Sequence, residues 1–414
     1  MGIAAGCAVA VAYLPGSDRA FGYDESVTIA NFVRTPSLFD PFRKQVVYNN
    51  HVAFSFLEHL IYTITGSASE RTMRFLPILC GAACVALLVT VLAARTTTWV
   101  ALAAGALLAT NPLFMGLTRE ARGYSLLCLC GVASTVTLLS LQRSDSFWRE
   151  LIYVGLLALG LATHLYMVFV IARREMSAKW AIRWLAGAII GSSAYVELVS
   201  AMRSTNRGSV FQPGFPRDLV GELLGHASPT LIITGVGVGL TLWSLRRQRE
   251  TRALALFFVA VVLLLWLVLA PRDLYPRFFV WAAPAVVVAA ATGLYRVGVR
   301  RVTTAAVAIA CLFAFAVSFD GYGSDQFANR AAVPAVAAAQ SRGKQVCGLG
   351  TSTEALASYA QHVRFAYLPT DFARCDLLVA LEPAQDARLL RSALAFYTHH
   401  RSLDARTPGL ILWN

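Results

Sequence analysis

The sequence predicts an α-helical polytopic membrane protein carrying a small C-terminal α/β domain. Three observations predict it. The 414 residues are 57% hydrophobic with a mean hydropathy of +0.58, and only 14% are charged, where soluble domains are nearer a quarter. Apolar runs of about 18 or more residues recur along the chain, long enough to cross a bilayer at about 1.5 Å per residue. After Phe319 the long runs stop and short strand-like segments replace them.

In order, the candidate spans are residues 1–15, 72–94, 98–117, 123–141, 150–172, 180–202, 228–245, 252–270, 277–294 and 302–319, which makes about 10–11 membrane segments. The first has no basic lead and no clean small-residue cleavage site, so it reads as an anchor whose start lies upstream rather than as a signal peptide. Orientation follows from the basic residues. Arg95, Arg143 with Arg149, the group Arg246, Arg247, Arg249 and Arg252, and Arg296, Arg300 and Arg301 mark cytoplasmic loops. The loop around Asp24, the Arg119–Arg122 turn, the loops 203–227 and 271–276 and the C-terminal tail then face outward. Arg173, Arg174, Lys179 and Arg183 also call for the cytoplasm, which a single span at 150–172 would deny them. Parity is restored if that segment turns back near Thr163 and His164.

The formal charge of +13 could point to nucleic acid, but its basic residues sit in short loops between apolar runs. That is the pattern of membrane topology, and no nucleic-acid partner is expected.

Two domains are expected: a transmembrane region, 1–319, with a first extracytoplasmic loop at 16–71, and an extracytoplasmic domain, 320–414. In the latter, Gln345 to Gly350, Val363 to Leu368 and Cys375 to Leu381 read as strands, and Leu410 to Trp413 as a further one. It holds no phosphate-loop motif and is assigned no catalysis. Cys347 and Cys375 lie there, in an oxidising place; they pair as a disulfide or point into the core. The six other cysteines fall in apolar spans, as small hydrophobes, and none has zinc-ligand spacing.

The chemistry is expected in the polar stretch Phe21 to Arg74, wedged between two apolar segments. It contains Asp24, Glu25, His51, Glu70, Arg71 and Arg74, and ionisable groups beside a bilayer are costly and usually functional. Further on, D-E-S at Asp24, N-N-H at Asn49, S-E-R-T-M-R at Ser69, R-E-A-R-G-Y-S at Arg119, T-H-L-Y at Thr163 and Y-P-R-F-F at Tyr275 follow in order. Over about residues 20–295 this set resembles the GT-C glycosyltransferases. The similarity is to the group containing the dolichyl-phosphate-mannose–protein mannosyltransferases, the aminoarabinose transferase of lipid A and the RgtA/B/C/D-like enzymes. The resemblance implies a polyprenyl-phosphate sugar donor, an outward-facing active site, inversion at the anomeric carbon, and the first acid of the D-E pair, here Asp24, as base. The 150–183 region departs from the group, which usually has two full spans there.

The residues argue for the same chemistry on their own. A sugar on a lipid phosphate is already activated, so the protein must add a base for the acceptor hydroxyl and cations for the departing phosphate. Asp24 with Glu25 supplies the base; the plainer alternative is a solvated loop charge or a helix cap. His51 is a candidate for the phosphate or the acceptor. Arg119 and Arg122, three apart, would face one way on a helical turn and grip phosphate oxygens, or else pair with Glu120 or anchor head groups. Tyr124 follows them in the same motif. Arg277 is a further phosphate candidate, with snorkelling as its alternative. His164 and Tyr166 would line the cavity, and Glu70 with Arg74 would brace the loop. Glu58 and His59 read as the polar face of a surface helix, and Glu197 needs a partner.

The expected activity is therefore a hexosyl- or pentosyltransferase of the cell envelope. Its partners would be membrane lipids, a polyprenyl-phosphate sugar and a glycan, lipid or protein acceptor. No cofactor is expected; a divalent metal is the alternative. The Ala/Val/Arg-rich composition points to a GC-rich bacterium and its plasma membrane. Two other classes compete: a transporter or flippase of a lipid-linked sugar, and an inactive scaffold. The chain shows neither the internal repeat nor the mid-membrane acids of transporters.

Overall fold

The computed structural model describes residues 1–43, 50–141, 143–144, 146–170, 178–195, 214–225, 228–245, 275–296, 300–320, 327–360, 362–366, 371, 374–381, 391–393, 395, 403–407 and 410–413. The chain divides into two compact units: Met1–Pro15, Gln45–Phe54 and Arg74–Tyr322 form the first; Gly16–Lys44, Ser55–Met73 and Gly323–Asn414 form the second. The expected span 252–270, the loop 271–276 up to residue 274, Glu197 and the basic group at 246–252 lie outside the described residues.

The first unit is helical. It contains α1 (Gly2–Tyr13), most of α5 (Glu70–Arg95), α6 (Thr98–Ala109), α7 (Pro112–Thr118), α8 (Tyr124–Leu141), α9 (Phe147–Thr163), α10 (Ala178–Ser192), α11 (Phe215–Leu224), α12 (Ser228–Leu245), α13 (Ala283–Arg296) and α14 (Arg300–Asp320). Among the described residues three helical stretches are long and apolar enough to cross a bilayer: α5, α8 and Pro276–Arg296, the last opening with a 3-10 turn (Pro276–Ala282) before α13. Two bent pairs, α6 with α7 and α11 with α12, pass the same test together. The large apolar side chains left exposed, Ile3, Phe75, Leu79, Trp148, Ile189, Trp243 and Leu312 among them, suit a lipid environment, where hydrocarbon covers what water would not.

The 63° bend between α6 and α7 has a local cause. Pro112 lacks the N–H that would continue α6, and Asn111 is pushed to an extended conformation before it. The Asn111 side chain then accepts the Phe114 N–H at 3.0 Å and donates to the Leu223 carbonyl at 3.1 Å, tying the bend to α11.

In the 150–183 region the helix breaks near the expected turn. α9 stops at Thr163, His164 is extended, and a 3-10 turn (Leu165–Val170) follows. Arg183 pairs with Glu150, Gly191 lies against the Ala158 carbonyl, and the Tyr195 hydroxyl donates to Ala162 O at 2.9 Å. These contacts advance together along both helices, so α9 and α10 run parallel. This puts Lys179 and Arg183 at the same end as Arg149. A Cβ at Gly191 would stand 2.6 Å from the Ala158 oxygen, so the close approach requires glycine there.

The second unit joins the loop residues to the C-terminal region. α2 (Tyr23–Thr28) continues into a π-helical turn (Ile29–Val33), followed by α3 (Asp40–Arg43); α4 (Val52–Thr65) lies mostly in this unit. The C-terminal part begins with α15 (Phe327–Ser341), then β1 (Val346–Leu349), a 3-10 segment (Thr351–Ser358), β2 (Arg364–Ala366), β3 (Leu377–Leu381), β4 (Leu403–Thr407) and β5 (Leu410–Trp413). The sheet order is β2-β1-β3-β5-β4, with β1 parallel to β2 and β3, and β5 antiparallel to β3 and β4. The apolar face of α15, Ala332, Val336 and Ala339, packs with Val346, Leu356, Leu377 and Val379 in one core. Cys347 and Cys375 form a disulfide, with Cα atoms 5.6 Å apart. β4, whose sequence L-D-A-R-T lacks an apolar run, is the strand that periodicity misses.

Candidate active site

In the second unit the two adjacent acids part company. Both occupy the first turn of α2, where the helix N-terminus favours negative charge. Glu25 turns inward and is 1% exposed; its Oε2 accepts the Gly22 N–H at 2.8 Å, closing the start of the helix. Asp24 remains partly exposed and is the acid of the pair that solvent reaches.

α4 does not present the expected polar surface face. Glu58 and His59 are both buried, because the residues of the first loop fold over that side of the helix. His59 Nδ1 donates to the Val33 carbonyl at 2.7 Å. The Glu58 carboxyl oxygens have no hydrogen-bond partner among the described residues. Burial, and after it the charge of Glu25, push the Glu58 carboxyl well above the usual carboxylate range. Glu70 accepts the Tyr359 hydroxyl at 2.9 Å. Arg74, in the first unit, is wholly buried one helical turn further along α5.

In the first unit, residues far apart in sequence gather into a cluster of cations and rings. His51, just before α4, meets the Tyr124 ring edge-on at 4.7 Å between centroids and the His164 ring at 5.1 Å. His164 carries the series on to Tyr166 at 5.1 Å and Phe278 at 5.8 Å. The Arg122 guanidinium lies 5.9 Å from the Tyr124 ring centre, and Arg277 lies 4.8 Å from that of Tyr275. His51, Arg122, Tyr124, His164 and Arg277 are thus brought together. Burial, then the charges of Arg122, His164 and Arg277, hold the His51 imidazole well below its ordinary pKa. A neutral imidazole offers one donor and one acceptor, and the Thr163 backbone is within hydrogen-bonding reach of the ring.

Arg119 and Arg122 do not share a helical face. α7 ends at Thr118, and the Arg122 N–H donates to the Glu120 carbonyl at 2.7 Å in a tight turn rather than continuing a helix. Arg119 instead donates to the Pro15 carbonyl at 2.7 Å, fixing the segment after α1, while Arg122 goes to the cluster. The turn needs Gly123: a Cβ there would stand 2.6 Å from Thr163 Cγ2 and 2.9 Å from His51 Nδ1. The R-G-Y spelling carried that signal, and only the close approach of three separate segments explains it.

The chain superposes on the crystal structure of ArnT from Cupriavidus metallidurans in the apo state with a TM-score of 0.66, at 12% identity, over 99% of this chain and 96% of that one. The fold is that of the GT-C membrane glycosyltransferases. The structure of ArnT from the same organism bound to undecaprenyl phosphate shows the GT-C architecture equally, with a TM-score of 0.64 and 14% identity over 99% and 97% of the two chains. The model of the dolichyl-phosphate-mannose-protein mannosyltransferase family matches residues 51–190. That stretch of the GT-C fold includes His51, Arg119, Arg122, Tyr124 and His164; Asp24, Glu25 and Arg277 lie beyond it. No curated protein matches the chain.

Proposed function

We propose that the chain transfers a sugar from a polyprenyl-phosphate donor to an acceptor hydroxyl at the outer face of a bacterial plasma membrane, with inversion. Asp24 takes the acceptor proton as the hydroxyl oxygen attacks the anomeric carbon. The bond from that carbon to the phosphate oxygen breaks, and polyprenyl phosphate departs with its electron pair. Arg122 and Arg277 meet the charge of the leaving phosphate, and neutral His51 hydrogen-bonds to it. The observation that carries this reading is the cluster of Arg122, His51 and Tyr124, all buried, with the His164 ring against them, inside the matched stretch 51–190. The solved relative bound to undecaprenyl phosphate supports a donor of this lipid class.

A monophosphate leaving group carries a charge that two guanidinium groups can match, so the reaction is proposed to proceed without a divalent ion. Transfer by the purified protein persists in EDTA; abolition by EDTA contradicts the assignment. Reconstitution into vesicles loaded with a labelled polyprenyl-phosphate sugar separates the enzyme from a flippase. A transferase releases free polyprenyl phosphate only when an acceptor is present. Movement of intact donor between leaflets, with no lipid phosphate released, identifies a transporter.

A further inference from the structure

We infer that the C-terminal domain acts in the reaction indirectly, through Tyr359 and Ser358, by holding the helix that carries Asp24. The inference rests on the reading of Asp24 as base and gives the C-terminal domain a task.

All the contacts lie within the second unit. The Tyr359 hydroxyl accepts the Phe21 backbone N–H at 2.6 Å and donates to the Glu70 carboxylate at 2.9 Å. Its ring stands 5.9 Å from that of Phe21. One phenol therefore joins the segment entering α2 to the start of α5. The Ser358 hydroxyl meets the Ser26 hydroxyl at 3.1 Å, two residues beyond Asp24, and the Arg34 guanidinium donates to the Ser358 carbonyl. The entry to the helix, its middle and the end of its π-helical extension are each tied to two consecutive residues at the end of the 3-10 segment Thr351–Ser358.

The geometry suits positioning better than general stability. Ser26, Ser358 and Phe21 are each no more than 1% exposed, so the α2 helix meets a dry, hydrogen-bonded surface. A six-residue helix has little stability of its own, and its orientation comes from what it packs on. Asp24, in its first turn, inherits that orientation. Tyr359 is a positioning residue: it touches the segment that aims the base and is assigned no contact with substrate.

The test uses the full-length protein in detergent or vesicles with a polyprenyl-phosphate sugar donor and compares Tyr359→Phe with Asp24→Asn. Tyr359→Phe keeps the ring against Phe21 and removes both hydrogen bonds. It is expected to lower kcat about tenfold with the KM for the donor unchanged, since the interaction lost serves the reacting geometry. Loosening α2 also weakens the helix-end stabilisation of the Asp24 carboxylate, so the acid limb of the rate profile moves to higher pH. A general loss of structure would lower the melting temperature and the active fraction without moving that limb. Tyr359→Phe with wild-type kcat and an unmoved limb overturns the inference while Asp24→Asn stays inactive. If Asp24→Asn retains full transfer, the base assignment fails instead, and the positioning role fails with it.

Discussion

The cation cluster of the first unit and the acidic loop of the second are built on opposite principles. The cluster draws His51, Arg122, His164 and Arg277 from four separate segments and holds them through stacked rings and a glycine-tight turn. Asp24 and Glu25 are adjacent in sequence, and hydrogen bonds to a domain more than 300 residues away hold their helix. The cationic groups are assembled by packing, whereas the proposed base is carried on a short element kept in place by its partners. The two should therefore fail differently when disturbed.

The largest expected effect falls on the acidic loop's support. The disulfide between Cys347 and Cys375 spans a sequence separation of 28, and closing such a loop is worth about 3–4 kcal/mol in the chain-entropy account. Cys347→Ala with Cys375→Ala is expected to speed proteolysis within 323–414 strongly while leaving the membrane helices protected; equal protection of both would break the contrast. Next comes the cluster. Arg122→Ala or Arg277→Ala should weaken polyprenyl-phosphate binding about 10–100-fold, the usual worth of a hydrogen bond to a charged group, and lysine should restore little of it. Arg119→Ala, whose guanidinium holds Pro15 instead, should leave that affinity near wild type; a loss as large as that of Arg122→Ala would return Arg119 to the site.

The smallest effect concerns Glu58. Its folded pKa is raised above the ordinary value of 4.5, so the stability it allows is full below about pH 4.5 and declines as the pH rises from there. Glu58→Gln should raise the melting temperature more at pH 8 than at pH 5. Equal shifts at the two pH values would mean that the carboxyl is ionised or bonded in the folded protein.

Much of this was legible in the sequence. The apolar runs announce the membrane region, since nothing else needs twenty such residues in a row. His51, Arg122, Tyr124, His164 and Arg277 stand out as polar groups at the ends of those runs, and the structure gathers them. The pairing of Arg119 with Arg122 was misjudged because three-residue spacing means one face only on a continuing helix, and the chain breaks at Thr118. Glu58 and His59 were misjudged because sequence shows a helix's own faces and not what covers them. Gly123 and Tyr359 carry no role legible in the sequence, because their neighbours Thr163 and Glu70 are near only in space. A break near Thr163 was readable from the basic residues around it, and α9 does end there; the parallel course of α9 and α10 was not.

One kinetic comparison bears most directly on the proposed chemistry: the rate of sugar transfer by Asp24→Asn, measured at saturating donor beside its affinity for polyprenyl phosphate. The account predicts a kcat lowered about 10²–10⁴-fold, the range for a general base, with lipid-phosphate affinity unchanged. Transfer at the wild-type rate would contradict it.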